Sequence, residues 1–578
     1  MITTSARRIT IVGAGEAGVQ LALGLLDAGY AVTLVSDRSA EEVRTGPILS
    51  SQCVFGSALT AQQPLPEELH PLMDDAAITG MLIDIAGVSD PWSAPLSRSA
   101  LSVDQRVKIS AWMDAFVAAG GELLVQRAGV RELESLASAY DVVIVGTGKG
   151  ELSQAFSTDR TRTPYASPQR ASAVAYVRRT DRDAAHASDI RLHVKPGVGE
   201  FFTFPGVTTS GPCQMLVFEG VTGGPMDRWD DVSTPQEHLA RGLEILGEHF
   251  PEESLRFAGA ELTDDEAVLR GRVTPIVRHP VGVLPSGAVV LGLGDTVVLN
   301  DPITGQGSNN ATIASQHYLD AITRRGDAAF DRDWMQSTFE EYWRAWAHWS
   351  TVWTNGLLAG LTPLQQQLMA SAAEHPAVAE AIVAGFDDPR TLFPWWNDQR
   401  TADEFLQMKV AEDAARFDVR DLRNALGQFA TGVTVITTLT PEGRRVGVTA
   451  NSFTSVSMDP PLVLWCPGQH LYSLPHFEQA THFVINVLAS DQHALSRQFA
   501  SAASDKFLGV ECTEGVAGVP VLAGTVATFE CRTVARHEAG DHVIYIGEVE
   551  RYSHRAAPPL VFHAGNYRDT AIHPSVAS

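Results

Sequence analysis

The chain has 578 residues, 44% of them hydrophobic and 19% charged, with a formal net charge of -25. That length exceeds what one hydrophobic core supports, so two or more domains are expected, and the acidic excess argues against a nucleic-acid or anionic-membrane partner, which attracts basic surfaces. The five cysteines (Cys53, Cys213, Cys466, Cys512, Cys531) form no CxxC pair and no His cluster has metal-ligand spacing, so no metal site and no disulfide framework is expected.

The apolar run Ile9–Val12 is too short for a signal segment or a membrane span, and a soluble, cytoplasmic protein is expected. Residues 7–40 read as strand, glycine turn, helix and strand. Gly13-Ala-Gly15-Glu-Ala-Gly18 fits GxGxxG, and the spacing lets backbone approach a pyrophosphate at a helix N-terminus. A glycine turn between strand and helix can also be purely structural. Asp37, nineteen residues past Gly18 and followed by Arg38, ends the next strand, where an acid binds a ribose hydroxyl, and the two are candidate cofactor contacts.

A second apolar strand, Asp141–Gly146, follows a helical pattern around Val107–Ala119. Residues 170–290 alternate, as in Gln214–Glu219, and predict an inserted antiparallel sheet. A third strand, Ala288–Asp295, leads through Asp301-Pro-Ile-Thr-Gly-Gln-Gly-Ser-Asn-Asn-Ala311 into a helix. A strand ending in Gly-Asp before a Gly-rich helix start suits a flavin. Asp295 would accept from ribityl groups, and Gly305, Gln306 and Gly307 would aim N–H groups at the ring edge that gains negative charge on reduction. Pro302, Gly305 and Gln306 are the candidate catalytic positions of this turn, and Asn309 is a further cofactor candidate. From Asp331 to about Val410 the pattern is helical, with Trp334, Trp343, Trp346, Trp349 and Trp353 read as a packing stripe. Gln399–Arg416 reads as a helical connector. After Phe417 short β-branched strands separated by turns predict a β-barrel of roughly 160 residues.

Residues 7 to about 400 resemble the epoxidase component of bacterial styrene and indole monooxygenases, through Arg8–Gly15, Val32–Arg38, Thr147-Gly-Lys149 and Gly292–Asn309. The resemblance implies FAD, supplied reduced, and O2 as co-substrate, with a small aromatic alkene or indole as substrate. It places Arg106 at a flavin-phosphate contact. The chain departs from that family at Pro47-Ile-Leu-Ser50, where an Arg-Leu-Leu-Asn segment is usual.

Residues 418–572 resemble the split-barrel flavin reductases through Ala430–Thr438 and Gly447–Pro461. This implies that Thr449, Ala450, Asn451 and Ser452 line a flavin ring and that Ser455, Ser457 and Lys506 meet its phosphate. Gly540-Asp541-His542 would face NADH, with His542 the candidate catalytic group and Tyr567 closing the same face. His563 is as readily structural, and a homodimer is implied.

The expected architecture is α/β plus β. Residues 1–400 form an FAD-binding Rossmann-like, hydroxylase-type fold, with cofactor parts at about 1–165 and 285–330, a substrate sheet at about 166–284 and a helical part at 331–400. A linker at 401–416 and a split β-barrel at 417–578 follow. The middle strand ends Val145-Gly-Thr-Gly-Lys149 without the Asp-Gly of hydroxylases that reduce their own flavin, so the two halves divide the labour. NADH would reduce FAD in the barrel, and reduced flavin would react with O2 in the first half to a C4a-hydroperoxide that gives one oxygen to a double bond. Two alternatives remain. One is a flavin reductase with a vestigial first half. The other is a flavin-dependent halogenase, whose Trp-x-Trp-x-Ile-Pro string is not found here.

Overall fold

The computed structural model describes residues 7–65, 72–73, 76–178, 188–415, 419–441, 443–469, 471, 473–501 and 506–570. The chain divides into two compact units, Met1–Ala415 and Arg416–Ser578. The expected barrel start at Phe417 lies outside the described residues, as do Arg416, Ser504 and Asp505.

The first unit is built on a six-stranded sheet in the order Val281–Val283, Val289–Gly292, Val142–Val145, Arg8–Val12, Ala31–Ser36, Glu122–Val125. Every pairing is parallel except that of the edge strand Val281–Val283. Ile9, Ile11, Leu34 and Ile144 are fully buried. Burial on both faces is why these strands read as unbroken apolar runs in the sequence. The helices Glu16–Asp27, Gln105–Ala118 and Gly307–Arg325 contribute Leu21, Met113, Phe116 and Tyr318 to the same core.

A second sheet has seven strands in the order Val268–Arg272, Arg170–Arg178, Gly211–Val221, Gly199–Thr208, Asp189–Lys195, Ile78–Ile85, Trp92–Ala100. Residues 166–284 supply most of it, but the last two strands come from the segment assigned above to the cofactor part. Ile78–Ile85 joins parallel to Asp189–Lys195, so the sheet is mixed. Period-two alternation splits its side chains. Phe202, Phe204 and Met215 face one core with Trp353, Phe386 and Trp396, whereas Phe201 and Phe218 face another with Trp229 and Phe250.

The helical part runs through Arg332–Tyr342, a π turn at Trp343–Ala347, His348–Leu358, Pro363–Glu374 and Pro376–Asp387. The tryptophan stripe separates here: Trp343 and Trp346 pack under the parallel sheet, while Trp353 packs against the mixed one. The segment read as a connector is the helix Gln399–Ala415, and it is packed onto the first unit. Phe405 stacks flat on Trp395 at 4.0 Å, and Asp413 accepts from the Ala377 N–H at 3.0 Å.

The second unit is a seven-stranded sheet in the order Arg445–Ala450, Thr434–Leu439, His482–Val487, Ala527–Ala539, His542–His554, Pro461–Trp465, Thr454–Met458. Each pairing is antiparallel. One core gathers Ile436, Trp465, Phe477, Phe483 and Tyr545. A smaller one gathers Val435, Leu488, Phe499 and Phe507 around the helix His493–Ala500.

Candidate functional sites

The GxGxxG turn leaves Val12 at the carboxyl end of the parallel sheet. Gly13 has φ +116°, and a Cβ there would lie 2.5 Å from the Gly146 carbonyl oxygen. At Gly18 a Cβ would lie 2.0 Å from the Gly13 oxygen. These two glycines let strand, turn and helix close on one another. Gly15 differs: it is the extended N-cap of Glu16–Asp27, no side chain caps the helix, and nothing lies within 4 Å of where its Cβ would be. An open, uncapped helix start of this kind is a cradle for phosphate oxygens. Just beneath it Lys108 Nζ donates to Glu16 Oε1 at 2.5 Å, both side chains buried. The sequence reading missed this pair, because both residues look like ordinary helix-surface charges.

Asp37, with most of its side chain in solvent, lies at 3.6 Å from Arg38 just past Ala31–Ser36. Asp295 sits in the short turn Gly294–Thr296 and keeps open surface. The protein mass around its carboxyl still desolvates it and pushes it up to about 6, with Lys149 opposing and Glu16 adding. Thr296 Oγ1 accepts the Gly148 N–H at 3.0 Å and joins the two strand ends.

The turn Pro302–Thr304 is capped by Asp301, whose Oδ1 accepts from the Ile303 N–H at 3.1 Å. Gly305 is left-handed, φ +65°, and its N–H returns to the Pro302 carbonyl at 2.8 Å. That donor is therefore spent within the turn. The helix Gly307–Arg325 has no side-chain cap, and the space over Gly307 is open. The donors facing outward are thus those of the helix start, and Gly305 shapes the turn. Gln306 is fully buried, with Nε2 on the Phe386 carbonyl at 2.9 Å. Asn309 is buried too. Its Nδ2 donates to the Cys53 and Gly305 carbonyls, and its Oδ1 accepts the Phe55 N–H, each at 2.9 Å. The Asn309 side chain is thus spent within the fold, whereas Gln306 Oε1 is buried without a hydrogen-bond partner among the described residues.

Arg106 is a correction. It is 2% exposed, and its guanidinium meets Asp104 at 2.8 Å, both Asp264 oxygens at 2.8 and 2.9 Å, Thr208 at 3.0 Å and the Gly46 carbonyl. All five donors are engaged, so none is left for a phosphate. In the departing loop Pro47–Ser50, Ile48 is buried with its N–H on the Glu266 carbonyl, and the Ser50 carbonyl accepts from the Tyr176 hydroxyl at 2.8 Å.

Beside the Asp301–Gly305 turn lies a cavity of about 560 Å³ between the mixed sheet and the helical part, lined among others by Ile83, Leu192, Ile303, Trp353, Met369 and Phe386. A largely apolar pocket of this size holds a small aromatic molecule. Its lining comes from segments scattered between Ile83 and Trp396, which is why only Trp353 was noticed in the sequence, and then as core.

In the second unit, Thr449 Oγ1 donates to the Ser496 carbonyl at 2.6 Å, and Tyr567 shares a hydrogen bond with Ser496 Oγ at 2.9 Å. Lys506 Nζ donates to the Phe499 carbonyl at 3.0 Å, and burial lowers its pKa. These three converge on the helix His493–Ala500, where Tyr567 also packs edge-on to Phe562. Tyr567 is therefore anchored to the smaller core. Ser452 Oγ accepts the Cys466 N–H at 2.9 Å, and the bridge Gly468–His542 brings His542 beside that strand end. His542 is exposed, with Nδ1 2.8 Å from Asp541. Asn451 and Ser455 are exposed, Ala450 and Ser457 half-buried, and Ser457 Oγ accepts the Asp459 N–H at 3.3 Å.

The comparisons with known proteins agree with this division. The "Flavin reductase like domain" matches residues 426–571, and the "Styrene monooxygenase A putative substrate binding domain" matches residues 148–256. The FMN reductase (NADH) SmoA of Agrobacterium fabrum is 51% identical over 148 residues, 26% of this chain and 84% of its own length. The reductase subunit HsaB of a flavin-dependent monooxygenase from Rhodococcus jostii is 41% identical over 162 residues, 28% of this chain and 82% of its own. The styrene monooxygenase StyA of Pseudomonas fluorescens is 28% identical over 377 residues, 63% of this chain and 88% of its own.

A flavoprotein oxidoreductase is thereby defined, one that uses FAD or FMN with NADH and joins a flavin-dependent monooxygenase to a flavin reductase. The chain belongs to the flavin reductase family through its second unit, fused behind a styrene monooxygenase-like unit.

Proposed function

We propose that the chain epoxidises styrene-like aryl alkenes and oxidises indole, using NADH and O2, with FAD carried from the second unit to an FAD-binding Rossmann-like site in the first. The observation that carries the reading is the pairing, in the first unit, of two open, uncapped helix starts at Gly15 and Gly307 with the apolar cavity that Ile303 lines. Those helix starts fit a diphosphate and the ring edge of a flavin respectively. Bound reduced flavin supplies the activation of O2.

The chain's own part is to bind, orient and exclude water. Gly15 and the first turn of Glu16–Asp27 hold phosphate oxygens, Asp37 takes a ribose hydroxyl and Asp295 the ribityl chain. The N–H groups at the start of Gly307–Arg325 steady the ring. Ile303, Trp353 and Phe386 would hold the alkene against apolar side chains and keep water from it. In the second unit Asn451, Ser452, Ser455 and Ser457 take an exchangeable flavin, and His542, steered by Asp541, meets the nicotinamide.

A homodimer through the second unit is also proposed. Phe429, Met458, Leu508 and Tyr552 are large apolar side chains exposed there to 68% or more, apolar surface that a second copy would cover.

The test is turnover of styrene by the purified chain with NADH, FAD and air, read by chiral gas chromatography. Styrene oxide without any added reductase is expected. NADH consumption that yields peroxide alone would sink the proposal in favour of a reductase with a vestigial first unit.

A further inference from the structure

Glu219 lies on Gly211–Val221 directly opposite Ser172 on one neighbouring strand and Glu200 on the other. Directly opposed residues share a face, so two buried acids stand side by side, an arrangement that costs free energy if both are ionised. Arg170 is the adjacent cation, and its hydrogen bonds go elsewhere: Nε and Nη2 bond the two Glu200 oxygens at 2.7 and 2.9 Å, and Nη1 bonds the Gln169 carbonyl. Glu219 is left with the Ser172 hydroxyl, which donates to Oε2 at 2.8 Å.

Asp301 reaches this cluster from the Pro302–Thr304 turn. Among the described residues, Asp301 Oδ2 and Glu219 Oε1 are both buried with no hydrogen-bond partner. The two residues are 2% and 0% exposed. The other titratable groups facing Asp301 are Lys149, which is exposed, and Tyr165, whose hydroxyl donates to the Asn355 carbonyl at 2.9 Å. Three carboxyls thus share one guanidinium. A proton is the simplest group that both relieves the repulsion and gives an orphaned oxygen a partner.

We propose that Glu219 and Asp301 are a buried acid pair that holds a proton on Glu219 at neutral pH and exchanges a second one on Asp301, so that the turn receiving the flavin ring is electrically neutral when an anionic, reduced ring arrives. The inference rests on the reading of the Asp301–Gly307 turn as the flavin site. Burial, with the Asp301 charge adding, holds Glu219 well above the usual carboxylate range, and burial pushes Asp301 up to about 6. The pair is a positioning device; no covalent step is assigned to it. Ionised Asp301 repels the reduced ring and leaves the neutral oxidised ring almost untouched, so the cluster biases the first unit toward reduced flavin as pH falls.

The experiment uses the full chain and the variants Glu219→Gln and Asp301→Asn, each of which keeps the acceptor oxygen that Ser172 or the Ile303 N–H needs. Infrared difference spectra at pH 7 in H2O and D2O are expected to show the carbonyl stretch of a buried protonated carboxylic acid, deuterium-sensitive and lost in Glu219→Gln. An unchanged spectrum in that variant means Glu219 carries no proton and overturns the pair. Melting curves give a second readout. Because the folded-state pKa of Asp301 is raised, wild type should lose stability relative to Asp301→Asn as pH rises from 4 through about 6 to 8; parallel curves overturn the exchangeable proton. Anaerobic titration with reduced FAD should show a several-fold loss of first-site affinity between pH 5.5 and 8 that Asp301→Asn removes, and an unaltered slope overturns the electrostatic role. Failure of the first unit to take up any FAD, with the acid band intact, overturns the reading of the site and leaves the acid pair standing.

Discussion

Gly13 and Gly15 stand two residues apart and respond to the same substitution in opposite ways. At Gly13 an alanine Cβ meets the Gly146 oxygen in a left-handed backbone, and the expected cost is roughly 2–3 kcal/mol, read as a melting-temperature drop of several degrees with loss of bound FAD. Gly15→Ala has free space around it, so the melting temperature should stay within a degree or two while first-site FAD affinity falls about tenfold, measured by equilibrium dialysis. Equal loss of fold in both variants would count against the phosphate cradle. The glycine pattern was legible because turn geometry is written locally in residue type. Arg106 and Asn309 misled for the opposite reason: what they bond, Asp264 in one case and Cys53 in the other, lies far along the chain and leaves no local trace.

Between elements, the segment read as a helical connector is the helix Gln399–Ala415, and what its polar, alanine-rich composition hid is its packing on the first unit. Its attachment rests on few side chains, Phe405 against Trp395 above all, and Phe405→Ala should cost roughly 3–4 kcal/mol, with faster proteolysis near residue 400 as the readout. A second junction joins the mixed sheet to the helix Pro251–Arg256. Glu253 there is fully buried and meets His193 at 3.0 Å, Arg191 at 2.8 Å and Arg256. Burial alone would raise its carboxyl; the His193 hydrogen bond and the two arginines outweigh it and hold it near about 2. A depressed folded-state pKa gives stability that is present above the usual carboxylate range and lost as pH falls toward 2. Glu253→Gln should therefore destabilise by about 3–5 kcal/mol at pH 7 and by progressively less below pH 4, followed by urea denaturation. The strands of this sheet at residues 170–221 were readable from alternation. Ile78–Ile85 and Trp92–Ala100 were not assigned to it, because sheet membership depends on a parallel pairing across more than a hundred residues.

At the scale of the molecule, the division into two units was legible, since a parallel-sheet α/β pattern gives way to short β-branched strands. The cavity between sheet and helices was not, because its walls come from scattered segments. Joining donor and acceptor of reduced flavin in one chain raises the effective concentration of each for the other. Epoxide formed per NADH should therefore hold steady as the intact chain is diluted a hundredfold. It should fall severalfold when the chain is severed between 415 and 419 and the halves are mixed, with peroxide rising in step. A ratio that dilutes away equally in both preparations would mean the tether does nothing.

Peroxide that does escape meets a chain already hardened against it. Cys53, whose carbonyl Asn309 grips beside the Asp301–Gly305 turn, is buried, and burial drives its thiol far above the ordinary range; Cys531, in the second unit, is pushed up to about 12. Sulfur attacks peroxide as thiolate, so these two are nearly inert where oxidant is generated. Peptide mapping after a peroxide challenge should find added oxygen on half-buried Cys466 and Cys512 first. Early sulfenylation of Cys53 would show that the interior breathes on the timescale of turnover, and catalytic lifetime would then be limited by damage beside the turn proposed to receive the flavin.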